Sequence, residues 1–167
     1  MTLAALVLSL VLPASAAPAR KTAPARTAAP ACLPQKIAKK TVIEVPGGGR
    51  IRADIVDTPK EREKGLMCRT RLARDYGMLF VFPADMELAF WMKDTLVSLD
   101  MVWIGADKRV NAIHARMPKS TTRTPDSKVA RAQARGQYVL ELPAGAARRY
   151  GLKVGSPLKF DAAIPAE

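Results

Sequence analysis

The sequence predicts a mainly-β fold, a single small barrel-like domain of about seven strands over roughly residues 41–162, mostly antiparallel or mixed, with two short helices. Three observations lead there. The apolar runs are short and are separated by glycine, proline and aspartate, which is strand-and-turn punctuation. Helix start and stop signals occur at only two places. No alternation of strands with long amphipathic patterns suggests repeated β-α-β units.

Thr41–Val45 and Arg50–Val56 alternate around Gly47-Gly48-Gly49 and read as a hairpin. Thr58-Pro59-Lys60-Glu61 then has the form of a capping box with proline at the first helical position, and Gly65 provides the stop. Met78–Phe82 is a buried strand ended by Pro83, and Leu88–Met92 is another. Leu99–Ile104 and Arg109–Met117 form a second hairpin across the turn Gly105-Ala106-Asp107-Lys108. Residues 118–136, rich in Lys, Arg, Ser, Thr and Pro, read as a long basic loop. Gln137–Leu142 is a strand, Ala144–Tyr150 a short helix stopped by Gly151, and Pro157–Asp161 a closing strand, with a tail over 163–167.

Before the domain, residues 2–12 form an apolar run ending at Pro13, and Ala14-Ser15-Ala16 resembles a signal-peptidase site. The run is too short to span a bilayer, so residues 1–16 are expected to be a signal peptide and the mature chain to carry no transmembrane helix. No lysine or arginine precedes the run, which is unusual for such a signal. Residues 17–40, built from Ala, Pro, Lys, Arg and Thr, cannot bury enough apolar surface to offset ordering entropy and read as a basic tether. The expected location is exported, periplasmic or extracellular.

The chain has 27 basic and 15 acidic residues, a net charge of +12. Six of the basic residues lie in the tether, which contains no acidic residue. Such a balance commonly marks nucleic-acid binding, but an exported protein meets anionic lipids, acidic glycans or peptidoglycan instead. Peripheral contact of the tether with an anionic envelope surface is therefore expected, and nucleic acid is not. The two cysteines, Cys32 and Cys68, suit an oxidising compartment and are expected to pair as a disulfide holding Leu33–Ile37 against the domain.

Chemistry is sought where charge interrupts apolar sequence. Lys93 and Asp100 each do so at a strand end, where a buried charge is costly unless paired. If Asp94–Ser98 turns the chain back, the two would face each other at one mouth of the barrel, with Trp91 as a flat wall and Asp94 and Thr95 between them. Six methionines, Met67, Met78, Met86, Met92, Met101 and Met117, are numerous but form no tight cluster, and the single His114 makes no metal site. No metal and no cofactor are expected. Motifs for a nucleophile elbow or a phosphate loop are absent.

Several of these stretches together resemble one family. Phe90-Trp91-Met92-Lys93-Asp94-Thr95 with Leu99-Asp100-Met101 is the core of the likeness. Gly65-Leu66-Met67-Cys68-Arg69, Gly77–Phe82, Tyr138-Val139-Leu140-Glu141-Leu142 and Gly151–Gly155 extend it. The chain is similar to the DUF192 (UPF0127) family, whose name assigns no activity. Relatives resemble Phe-Trp-Met-Lys-Asn-Thr followed by Pro-Leu-Asp, whereas Asp94 stands here for the asparagine and Ser98 for the proline. The first change replaces an amide by an acceptor-only carboxylate, and the second loosens the turn. The functional expectation is an exported envelope accessory module that binds a small ligand or partner at Trp91–Asp100. The alternative is a hydrolase or lyase using Lys93 and Asp100.

Overall fold

In the computed structural model the described residues are 32–166, and the expected signal peptide and most of the expected tether lie outside them. Alternating residues of Lys40–Glu44 (β1) and Arg50–Val56 (β2) form the antiparallel hairpin that the sequence predicts, turning through Gly47 and Gly48 at positive φ. The helix Pro59–Lys64 (α1) follows, with its capping box intact. The Thr58 hydroxyl accepts from the Glu61 N–H at 3.3 Å, and the Glu61 carboxylate accepts from the Thr58 N–H at 3.3 Å.

The next strand, Tyr76–Trp91 (β3), merges the two strands expected at 78–82 and 88–92. Pro83 does not end it. Pairing with the neighbouring strand shifts register between Val81 and Met86, and that irregularity accommodates a residue without an N–H to donate. β3 runs parallel to β2, so α1 is the crossover of a β-α-β unit, which the sequence reading did not expect.

Leu99–Ile104 (β4) and Val110–Met117 (β5) form the second hairpin. Arg131–Pro143 (β6) begins well inside the supposed basic loop, shortening that loop to residues 118–130, which include a 3-10 turn at Asp126–Lys128. The helix Ala146–Arg149 (α2) follows. The described residues thus form a six-stranded mixed sheet in the order β1-β2-β3-β6-β4-β5.

The sheet is not a closed barrel. Its nearest approach to closure comes from the C-terminal segment, which is not the full strand expected at 157–161. It makes bridges from Lys159 to Glu44 at the end of β1 and from Pro157 to Arg109 just before β5. Both edges of the sheet are thereby held at one end.

The sheet carries a core on each face. Ile43, Ile51, Leu79, Val102, Leu140 and Leu158 are buried on the face covered by α2 and the C-terminal segment. Met78, Phe80, Met92, Met101, Trp103 and Val139 fill the other, where Ile37, Leu66 and Val129 also pack. Four of the six methionines are core filling of this second face. β4 is buried at every position because both its faces are covered.

The Cys32–Cys68 disulfide is present, with the Cα atoms 5.5 Å apart. It holds the segment that leads into β1 across the end of α1. Gln35 donates to the Glu61 and Gly65 carbonyls at 3.0 and 2.9 Å, Ile37 is buried, and Leu33 remains exposed. Among the described residues no helix is long and apolar enough to cross a membrane.

Candidate functional site

The expected Lys93–Asp100 pair does not form. Asp100 lies on β4 facing the α2 side and is fully buried. Its two carboxylate oxygens accept the Arg116 N–H at 2.8 Å and the Ala147 N–H at 2.9 Å. Backbone donors, not a cation, compensate its charge. The first of them stabilises an irregular position in β5 where Arg116 has φ 55°, and the second satisfies an otherwise free N–H in the first turn of α2. Lys93 instead pairs with Asp126 of the basic loop, and this hydrogen bond holds the Asp126 carboxyl below its ordinary pKa.

The turn between β3 and β4 is built by its own backbone. Asp94 takes φ 48°, a conformation that asparagine and aspartate tolerate better than most residues, and its carbonyl accepts the Cys68 N–H at 2.9 Å. That conformation favours asparagine or aspartate at this position, and the Asp94 Oδ1 is buried without a hydrogen-bond partner among the described residues. Thr95 is buried; its hydroxyl donates to the Lys93 carbonyl at 3.0 Å and its carbonyl accepts the Ser120 N–H at 2.9 Å. Trp91 is 41% exposed, with the Arg131 guanidinium 5.9 Å from its ring.

Two of these residues, Trp91 and Thr95, line a narrow cleft against α1. Gly65, Leu66, Phe80 and Phe90 form its walls, and Glu141 reaches it from β6. A Cβ at Gly65 would come within 3.2 Å of the Phe80 ring, so glycine both allows the positive φ there and lets α1 sit tightly on the aromatic wall. The cleft has a volume of about 30 Å³, room for a group or two the size of water.

Glu141 is the unusual member. It sits in the central strand, paired to Met78 on one side and Met101 on the other, and is 5% exposed. Among the described residues no donor meets its carboxyl. Burial pushes its pKa up to about 8. At neutral pH it is largely a protonated acid held in an aromatic wall, an arrangement frequent at functional sites. Sequence reasoning passed over Glu141, although it meets the criterion applied to Lys93 and Asp100. It is a charge within the apolar run Val139–Leu142.

A larger depression of about 630 Å³ lies beside β1 and β2, lined by Val42, Ala53 and Tyr76 among others. Its acid, Asp54, is fully engaged by Lys40, Arg69 and the Tyr76 hydroxyl, which donate across 2.6, 3.2 and 2.7 Å. That saturation makes it a structural hub, so the smaller cleft with an unengaged acid is the stronger candidate.

The buried acid sets a pH dependence whose sign is fixed. Glu141 has a folded pKa of about 8 against an ordinary 4.5, so between those values the folded chain retains a proton that the unfolded chain releases. Stability is therefore fully present below about pH 4.5 and falls, by an amount on the order of a few kcal/mol, as pH rises through 8. Glu141→Gln is expected to match the wild type near pH 5 and to exceed it near pH 9 in urea denaturation. A wild-type stability unchanged over that range would contradict the assignment.

Residues 41–160 match the family model DUF192, described as "Uncharacterized ACR". Among solved structures, a Sinorhizobium meliloti 1021 protein named as a candidate transcription regulator is 30% identical, with a TM-score of 0.63, covering 73% of this chain and 92% of that one. A protein of unknown function from Novosphingobium aromaticivorans DSM 12444 is 28% identical, with a TM-score of 0.61, covering 77% of this chain and 92% of that one. No curated protein matches the chain. The matched span runs from β1 to the bridge-forming C-terminal segment and includes the cleft, its aromatic walls and Glu141, and the chain belongs to the DUF192 family.

Proposed function

We propose that the protein is an exported envelope module that binds a small ligand in the cleft between α1 and the β3–β4 turn, with Trp91 at its mouth and Glu141 at its base. One observation carries this reading: a 5% exposed acid without a hydrogen-bond donor lines a cleft walled by aromatic rings. A fold gains nothing from such a group, since an unengaged buried carboxyl costs free energy that an apolar side chain would not. The ligand region proposed from Trp91 and Thr95 is thus kept, while Lys93 and Asp100 lose their place in it, and the hydrolase or lyase alternative loses its catalytic pair.

A fragment screen read by amide chemical shifts tests the site. Hits are expected to move Leu66, Thr95 and Glu141 together. Hits confined to the groove beside Val42 and Tyr76 would refute the reading.

Export is supported by the apolar run with Ala14-Ser15-Ala16 and by the disulfide, which persists only where thiols are oxidised. The basic tether then contacts an anionic envelope surface. Intact-mass measurement of the accumulated protein is expected to give a chain beginning at Ala17, and a retained Met1 would count against it.

A further inference from the structure

The walls of the Glu141 cleft define the chemistry of its occupant. Phe80 and Phe90, whose ring centroids are 4.9 Å apart, line it together with Trp91, and aromatic faces attract cations. The titratable groups that line it are Arg62, Glu63 and Lys64 of α1, whereas β3 and the turn contribute Phe80, Phe90, Trp91 and Thr95 to the walls. The Tyr76 hydroxyl of β3, held by Asp54, also lies within electrostatic reach of Glu141. Arg62 is engaged elsewhere, and Lys64 meets only a disulfide sulfur. Arg62 donates to the Asp57 and Val81 carbonyls and stacks on Phe82 at 4.8 Å, and the Lys64 Nζ lies 3.5 Å from the Cys68 Sγ. An anionic ligand would meet the Glu141 carboxyl at the base of the cleft and the Glu63 carboxyl on α1. A volume of about 30 Å³ also suits a head group no wider than a single ammonium.

We propose that the cleft receives a primary alkylammonium group, such as a lysine side chain or a free amino terminus, and pairs it with the Glu141 carboxylate. This rests on the cleft being the binding site. The ligand enters as a cation, Glu141 gives its proton to solvent, and a charge-assisted hydrogen bond forms between ammonium and carboxylate. No covalent bond changes. Binding at pH 7 therefore releases close to one proton per ligand, and apparent affinity rises about tenfold from pH 6 to pH 7 because the ionised fraction of Glu141 does.

The test uses n-butylammonium chloride as the probe, with n-butanol as its neutral isostere, sodium butyrate as the anion and butyltrimethylammonium as the wider cation. Calorimetry in phosphate and HEPES buffers at pH 7 counts protons, and amide shifts at Thr95 and Glu141 locate binding. The expected result is cleft binding by n-butylammonium at least tenfold tighter than by the other three, with proton release, and its loss in Glu141→Gln. The pH profile of wild-type affinity measures the same proton linkage without a variant. Cleft shifts with equal affinity for butanol, or with no proton release, would overturn the ammonium assignment and leave the binding site standing. Absence of shifts at Thr95 and Glu141 with all four probes overturns the ammonium assignment, and if the fragment screen also leaves the cleft empty, the site falls with it.

Discussion

Asp100→Ala is expected to lower unfolding free energy by about 4 kcal/mol, because two charge-assisted hydrogen bonds of roughly 1.5–3 kcal/mol each are lost and their donors stay buried. Those donors are the N–H groups of Arg116 and Ala147, at 2.8 and 2.9 Å. The damage spreads from there, since Arg116 is held at φ 55° and α2, only four residues long, has no side-chain cap of its own. For a domain of this size the melting temperature should fall by about 10–15 °C. Lys93→Met is expected to leave the denaturation midpoint nearly unmoved, since Lys93 pairs with an exposed partner. Urea denaturation of the two variants is decisive, and comparable losses at both positions would contradict the separate roles of Lys93 and Asp100.

The second large effect is that of the disulfide. Cys32 and Cys68 are 36 residues apart, and closing a loop of that length removes unfolded-state entropy equivalent to about 3–4 kcal/mol. Reduction, or the double replacement Cys32→Ser and Cys68→Ser, is expected to lower the melting temperature by about 10 °C. It also releases a segment clamped by other means. Gln35 bonds the end of α1, and its own carbonyl accepts from Arg69 at 3.3 Å. Scanning calorimetry with and without reductant checks this, with non-reducing peptide mapping to recover both cysteines in one fragment. An unchanged melting temperature would show that the remaining clamps suffice.

What was legible in the sequence was local. The capping box from Thr58 to Glu61 is fixed by residues three apart and could be read directly, as could the hairpins with their turn residues. The parallel pairing of β2 with β3 was not legible, because α1 is too short to announce a β-α-β crossover and strand partners are chosen by non-local burial. Pro83 misled for a related reason, since its missing donor matters only where a partner strand demands one.

At the site, the rule that charge inside apolar sequence has a reason held for Asp100. It gave no way to tell a cation from backbone N–H groups as that reason. The same rule, applied along Tyr138–Leu142, would have found Glu141.

The sheet order has a consequence for how the chain comes to be folded. β6, last of the strands in sequence, lies between β3 and β4 and provides the join between β1-β2-β3 and β4-β5. In a nascent chain ending at Ser120, β1-β2-β3 and β4-β5 can pair only within themselves, because the strand that joins them has yet to be made. Commitment to the native state waits for the final third of the domain, which leaves the growing polypeptide pliable until synthesis is nearly finished.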